Sequence, residues 1–191
     1  PKIGVIFKPK NAKTLRERIG KVNEILLEAE KTGRCFVYDD FTDNFTSAPP
    51  ILAGLSSDIC IHSHLSAGTA AIECALANIP TLLIDREGSP ENLLYNLYDE
   101  KIIFNNWHEV ISKINYNLNS DKTNEDFGMW PEKFLNSLDN FRDGKAAYRM
   151  GEFLNNMINL LHQNKSREEV MSIASKTYKE KYGIDKITSI N

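Results

Sequence analysis

The stretch SDICIHSHLSAGTAAIECALANIPTLLID, residues 57–85, brings together two histidines, a run of small residues, a glutamate inside an apolar segment and a proline that opens a second apolar run. Ser66, Ala67, Gly68 and Thr69 fall between a strand-like and a helix-like segment. Small side chains there let a ligand approach the backbone. The free N–H groups of a first helical turn, with the helix dipole, attract an anion and above all a phosphate. The same residues also suit an ordinary N-cap at Ser66 and close helix–sheet packing, and both readings stand. Glu73 lies one turn further on, where AAI-CALA predicts a largely buried helix. A buried carboxylate needs a partner, for which a ribose diol would serve, whereas a Glu on the open side of the helix needs none.

Cys60, His62 and His64 alternate, so a strand would aim all three at one face. No fourth ligand is near in sequence, and no metal site is expected. His62 and His64 suit the rim of a cleft, as hydrogen-bond donors or as a general base. HLSAG lacks the first glycine of a nucleophile elbow, and no Gly-Lys-Ser/Thr phosphate loop is present. Lys8 ends an apolar run as FKPK, either facing the same cleft as a counter-charge for phosphate or lying on the surface. SPENLLYN (89–96) reads as a helix start, with Ser89 as cap, Pro90 at its first position and Glu91 in its first turn. Asn92 and Asn96 share a face of that helix, turned to the cleft or to water.

The elements that must position these residues follow a βα rhythm. Strands are expected at 2–8, 34–40, 57–63, 81–85 and 101–104. Helices are expected at 14–31, 51–56, from 66 or 68 to 78, at 90–99 and, capped by Asn106, at 107–118. Five βα units with short connections predict an α/β fold, a doubly wound parallel sheet. Such sheets bind ligands beyond the carboxyl ends of their strands, which gives weight to Lys8, Asp39–Asp40, His62–Thr69, Asp85–Arg86 and Phe104–Trp107. After a polar loop at 119–128 the pattern turns helical, with one long helix ending near Gln163 and another, capped by Ser166, ending near Tyr182. Two domains are therefore expected, an α/β domain over 1–141 and a helical extension packed on it over 142–191.

Bulk properties narrow the partners. The 191-residue chain is 41% hydrophobic and 26% charged, with a net charge of -3, which gives no basic field for nucleic acid. Three widely spaced cysteines predict free thiols of a cytoplasmic protein. No apolar run reaches the ~18 residues of a membrane span. The chain opens at Pro1 directly on a strand-like segment, so it is expected to be part of a longer protein.

Residues 57–85 resemble the donor-binding segment of GT-B glycosyltransferases, with an aspartate-led strand, a small-residue turn, a helix glutamate and a G-x-P strand entry. Asn78-Ile79-Pro80 stands at the G-x-P position, with Asn for the usual glycine. FRDGKAAYRMGEFL (141–154) is similar to the ending of a bacterial surface-polysaccharide glycosyltransferase group. The resemblance covers most of residues 1–163. It implies a Rossmann-like C-terminal half that binds a nucleotide-sugar donor without a metal or other cofactor. Ser66, Ala67, Gly68 and Thr69 would then hold the diphosphate, and Glu73 the ribose. Lys8 would sit near the phosphates, and Glu91 and Asn92 near the sugar. Asp143 and Arg149 would lie in the ending motif, where closing the helical tail is an equal role. The acceptor site and catalytic base would belong to an N-terminal domain of the same protein, so no catalytic residue is assigned and the half is expected to be inactive alone. The parent would carry any peripheral membrane association. Two other readings remain, a sugar-nucleotide epimerase half-domain and a non-catalytic interaction domain of polysaccharide assembly.

Overall fold

The computed structural model describes residues 3–38, 48–66, 68–120 and 126–183. Ala67 and the Asp39–Asp40 pair lie outside the described residues. The chain divides into two compact units, Pro1–Pro131 and Glu132–Asn191; the composition change in the sequence had put the boundary at 141/142.

The first unit is mixed α/β. Its elements in chain order are β1 (Val5–Phe7), α1 (Ala12–Arg18), α2 (Val22–Lys31), β2 (Cys35–Val37), α3 (Pro50–Gly54), β3 (Cys60–His62), α4 (Thr69–Leu76), β4 (Thr81–Ile84), a 3-10 helix (Leu93–Glu100), β5 (Ile103–Phe104) and α5 (Trp107–Asn119). The described strands form two short parallel sheets, β1–β2 and β3–β4–β5. β4 is central in the larger sheet and all four of its residues are buried, as the continuous apolar run TLLI requires of a strand covered on both faces. Leu82, Ile84 and Val110 form a core cluster, packed by Ile59, Ile61, Phe104, Ile114 and Phe127. The smaller sheet is open: Val5 and Phe36, which point to opposite faces, are each 53% exposed.

Two helices depart from expectation. The segment 14–31 is not one helix. Asn11 caps α1 through Thr14 N–H, and the chain breaks at Gly20, whose φ of 53° is left-handed. The segment at 90–99 is a 3-10 helix that starts later, because Asn92 rather than Ser89 is the cap: its Oδ1 accepts from Leu94 N–H at 2.9 Å. The expected cap at Asn106 is present, accepting from Glu109 N–H at 3.0 Å.

The second unit contains α6 (Glu132–Leu138), α7 (Ala146–His162) and α8 (Arg167–Tyr182). The seven-residue α6 is too short to show a clear period in sequence. α7 and α8 pack through Leu160, Val170 and Ala174, flanked by Phe153 and Met157. Ser166 and Glu169 form a reciprocal capping box at the start of α8. Arg149 Nη1 donates to Asp143 Oδ2 at 2.9 Å, and its guanidinium lies 3.7 Å from the Phe141 ring centroid. Asp143 and Arg149 of the ending motif thus pair with each other and brace the start of α7. No described helix is long and apolar enough to cross a membrane.

Candidate functional site

Because β3, β4 and β5 are parallel, their carboxyl ends lie along one edge of the sheet. That edge carries His62, residues 63–66, Gly68, residues 85–88 and residues 105–106. The turn after β3 is anchored by Leu65, which is 1% exposed. Gly68 occupies the N-cap position of α4, with no side-chain cap to the helix. A Cβ at Gly68 would lie 2.3 Å from Leu94 Cδ1, so its lack of a side chain seats the 3-10 helix against the turn. Packing thus accounts for the glycine, the plainer of the two readings of this small residue.

The loop after β4 is built around Asp85. Its Oδ1 accepts from the N–H groups of Glu87 and Gly88, both at 2.9 Å, and Tyr95 donates its hydroxyl to Oδ2. Burial acts to raise the Asp85 carboxyl, but the Tyr95 hydroxyl and the two amides outweigh it and hold it below its ordinary value. The same hydrogen bond pushes Tyr95 up to about 12.

This loop delivers Glu87 to the turn after β3. Glu87 Oε2 accepts from Ser66 N–H at 2.8 Å, and Oε1 lies 3.1 Å from His64 Nδ1. The Ser66 hydroxyl, then the Ser66 amide and His64, hold the Glu87 carboxyl below its ordinary value. An acceptor on Nδ1 orients the imidazole and leaves Nε2 for a further partner. The cluster can therefore hold an imidazole in a set orientation, and a carboxylate already lies where an incoming anion would meet the Ser66 amide. Glu87 and Tyr95 are the residues that sequence reading missed. The signal for Glu87 was D-x-x-G (85–88), an Asp-led turn that folds the next residues back over the strand tip.

Other predicted positions are more dispersed. Thr69 and Glu73, four residues apart, are both exposed along the open side of α4, whereas Ala71, Cys74 and Ala75 are buried. Burial of Glu73 is thus not found, because the helix is amphipathic rather than enclosed. His62 is half-buried, its ring centroid 6.5 Å from that of His64. Cys60 does not join the histidines: its Sγ lies with that of Cys74 beside Gly54, while His64 faces Glu87. Lys8 donates to Pro9 O at 3.0 Å and lies 5.6 Å from the Tyr38 ring centroid. Glu91 is exposed in the turn before the 3-10 helix, and Asn92 spends its carbonyl on the cap.

Asn78, the departure from G-x-P, adopts φ 60°. Asn78 N–H donates to Ala75 O and Ile79 N–H to Cys74 O, both at 3.0 Å, which is a Schellman ending for α4. Asparagine here performs the left-handed turn that glycine makes at lower cost.

The chain matches no family model, no curated protein and no solved structure.

Proposed function

We propose that the first unit is the donor-binding half of a nucleotide-sugar-dependent glycosyltransferase of bacterial polysaccharide biosynthesis. In this reading the two parallel sheets belong to a doubly wound, Rossmann-like GT-B half in a cytoplasmic enzyme whose N-terminal domain supplies the acceptor site. The carrying observation is the junction of β3 with α4 at the carboxyl edge of a parallel sheet, where the helix starts at Gly68 without a side-chain cap and Ser66 N–H is held by a carboxylate. A diphosphate entering there takes the place of Glu87 on Ser66 N–H and gains the first-turn amides of α4. Thr69 lies at the helix start, and Glu73, on the same exposed side, is open to the ribose. Transfer of a sugar builds charge on the departing diphosphate, which amides and His64 stabilise without a metal.

Calorimetry of the full chain with nucleoside diphosphates tests the reading. Micromolar to millimolar binding is expected, lost in Glu73→Ala and weakened in Thr69→Val. Absence of binding by every nucleoside diphosphate, with circular dichroism showing an intact fold, rejects it. A second reading, a non-catalytic interaction domain, is favoured by one observation: Glu87 satisfies the Ser66 amide from within the chain. Under that reading Glu87→Ala gains no affinity for any nucleotide.

A further inference from the structure

We infer that Cys60 and Cys74 are a latent redox pair, able to form an intramolecular disulfide that ties β3 to α4. Cys60 is the first residue of β3, and Cys74 lies on the buried side of α4. Both sulfurs border one small space beside Gly54, the last residue of α3. A Cβ placed on Gly54 would lie 2.8 Å from Cys74 Sγ and 3.5 Å from Cys60 Sγ. Any side chain at position 54 would push into the sulfurs, so the glycine keeps them neighbours. Both sulfurs thus lie within 3.5 Å of one point, which makes them neighbours across the β3–α4 junction. Cys60 is half-buried and reachable, whereas Cys74 is 5% exposed.

Exposure sets the order of events. Cys60 is the half-buried sulfur that a reagent can reach, and Cys74 is enclosed. The neighbouring Cys74 lowers the Cys60 thiol below its ordinary value, against the opposing effect of burial. Cys60 is therefore the attacking thiolate and Cys74 the resolving thiol. With a small-molecule disulfide such as oxidised glutathione, Cys60 Sγ attacks one reagent sulfur. The reagent S–S bond breaks, and the first glutathione leaves as a thiolate that takes up the proton Cys60 lost. Cys74 Sγ then attacks Cys60 Sγ, passing its proton to the second departing glutathione. Two protein thiols and one reagent disulfide become one protein disulfide and two reagent thiols, with two electrons passing to the reagent. The segment closed by the bond contains His62, His64, Ser66, Thr69 and Glu73. Oxidation thus constrains the whole candidate turn, and the inference holds whatever ligand that turn takes.

The test is oxidation of the folded full chain with oxidised glutathione, followed by thiol counting, intact mass and digestion with a protease that cuts after Glu73. Titratable thiols are expected to fall from three to the single Cys35, with a mass lower by two hydrogens and the Cys60 and Cys74 peptides joined. Cys35→Ser should leave the cross-link in place, and Cys60→Ser should abolish it. A stable glutathione adduct on Cys60 with Cys74 still titratable, a link through Cys35, or no loss of thiols in the folded chain would each overturn the inference. The wild-type thiol count remains decisive even if a Cys74→Ser variant fails to fold.

Discussion

Glu87 carries two contacts that cannot both be kept once an anion arrives at Ser66 N–H. Replacing it with alanine removes the internal competitor. Glu87→Ala should bind a nucleoside diphosphate about tenfold more tightly than wild type, the scale of one charge-assisted hydrogen bond. Titration calorimetry of the two proteins side by side checks this; equal affinity would show that the carboxylate does not compete. Gly68 offers a structural counterpart. Alanine there would drive a Cβ into Leu94, at a cost of about 1–3 kcal/mol. Urea denaturation should show that loss for Gly68→Ala against wild type, and a smaller increment when Gly68→Ala is made in a Leu94→Ala background. Of these residues, the histidines and the small turn were legible because their types are unusual at a strand tip. Glu87 was not, since its partner lies on a different strand connection and only folding brings the two together.

Helix ends supply the next scale. Asn78 closes α4 in the left-handed region, where a Cβ costs about 1 kcal/mol or more. Asn78→Gly should hold or raise the midpoint of urea unfolding, and Asn78→Ala should lower it, since alanine lacks the local hydrogen bonding that helps asparagine adopt this turn. In the second unit, the Arg149 guanidinium, with the Lys145 amide, lowers Asp143 to about 2 from its ordinary 3.8. A carboxyl whose folded value is depressed contributes stability that is complete above its unfolded value and vanishes as pH falls through the folded one. Asp143→Asn should therefore melt lower than wild type at neutral pH, and the gap should close between about pH 4 and pH 2. A gap independent of pH would remove the ion pair from the bracing of α7. Caps at Asn106 and Ser166 were readable from sequence because a cap is a local bargain between a side chain and the next turn. The break at Gly20 and the shift of the cap from Ser89 to Asn92 were not, because competing local signals sit within a few residues and packing selects between them.

Across the whole chain, the net charge of -3 leaves no attractive field for a polyanion. Fluorescence anisotropy should detect no binding of duplex DNA at physiological salt; salt-sensitive binding would expose a local basic surface that net charge conceals. The core gives a second expectation: Leu82, 0% exposed in the central strand, anchors the larger sheet. Leu82→Ala should cost about 2–5 kcal/mol in denaturant unfolding of the first unit. Composition and periodicity alone determined that this is a βα chain with parallel strands followed by helices, because hydrophobic period and cap chemistry are written within a few residues of one another. Which strands join, which amide a carboxylate claims and which thiols meet were decided only by tertiary structure. Those contacts link residues far apart in sequence, and nothing in a local pattern encodes the distance between them.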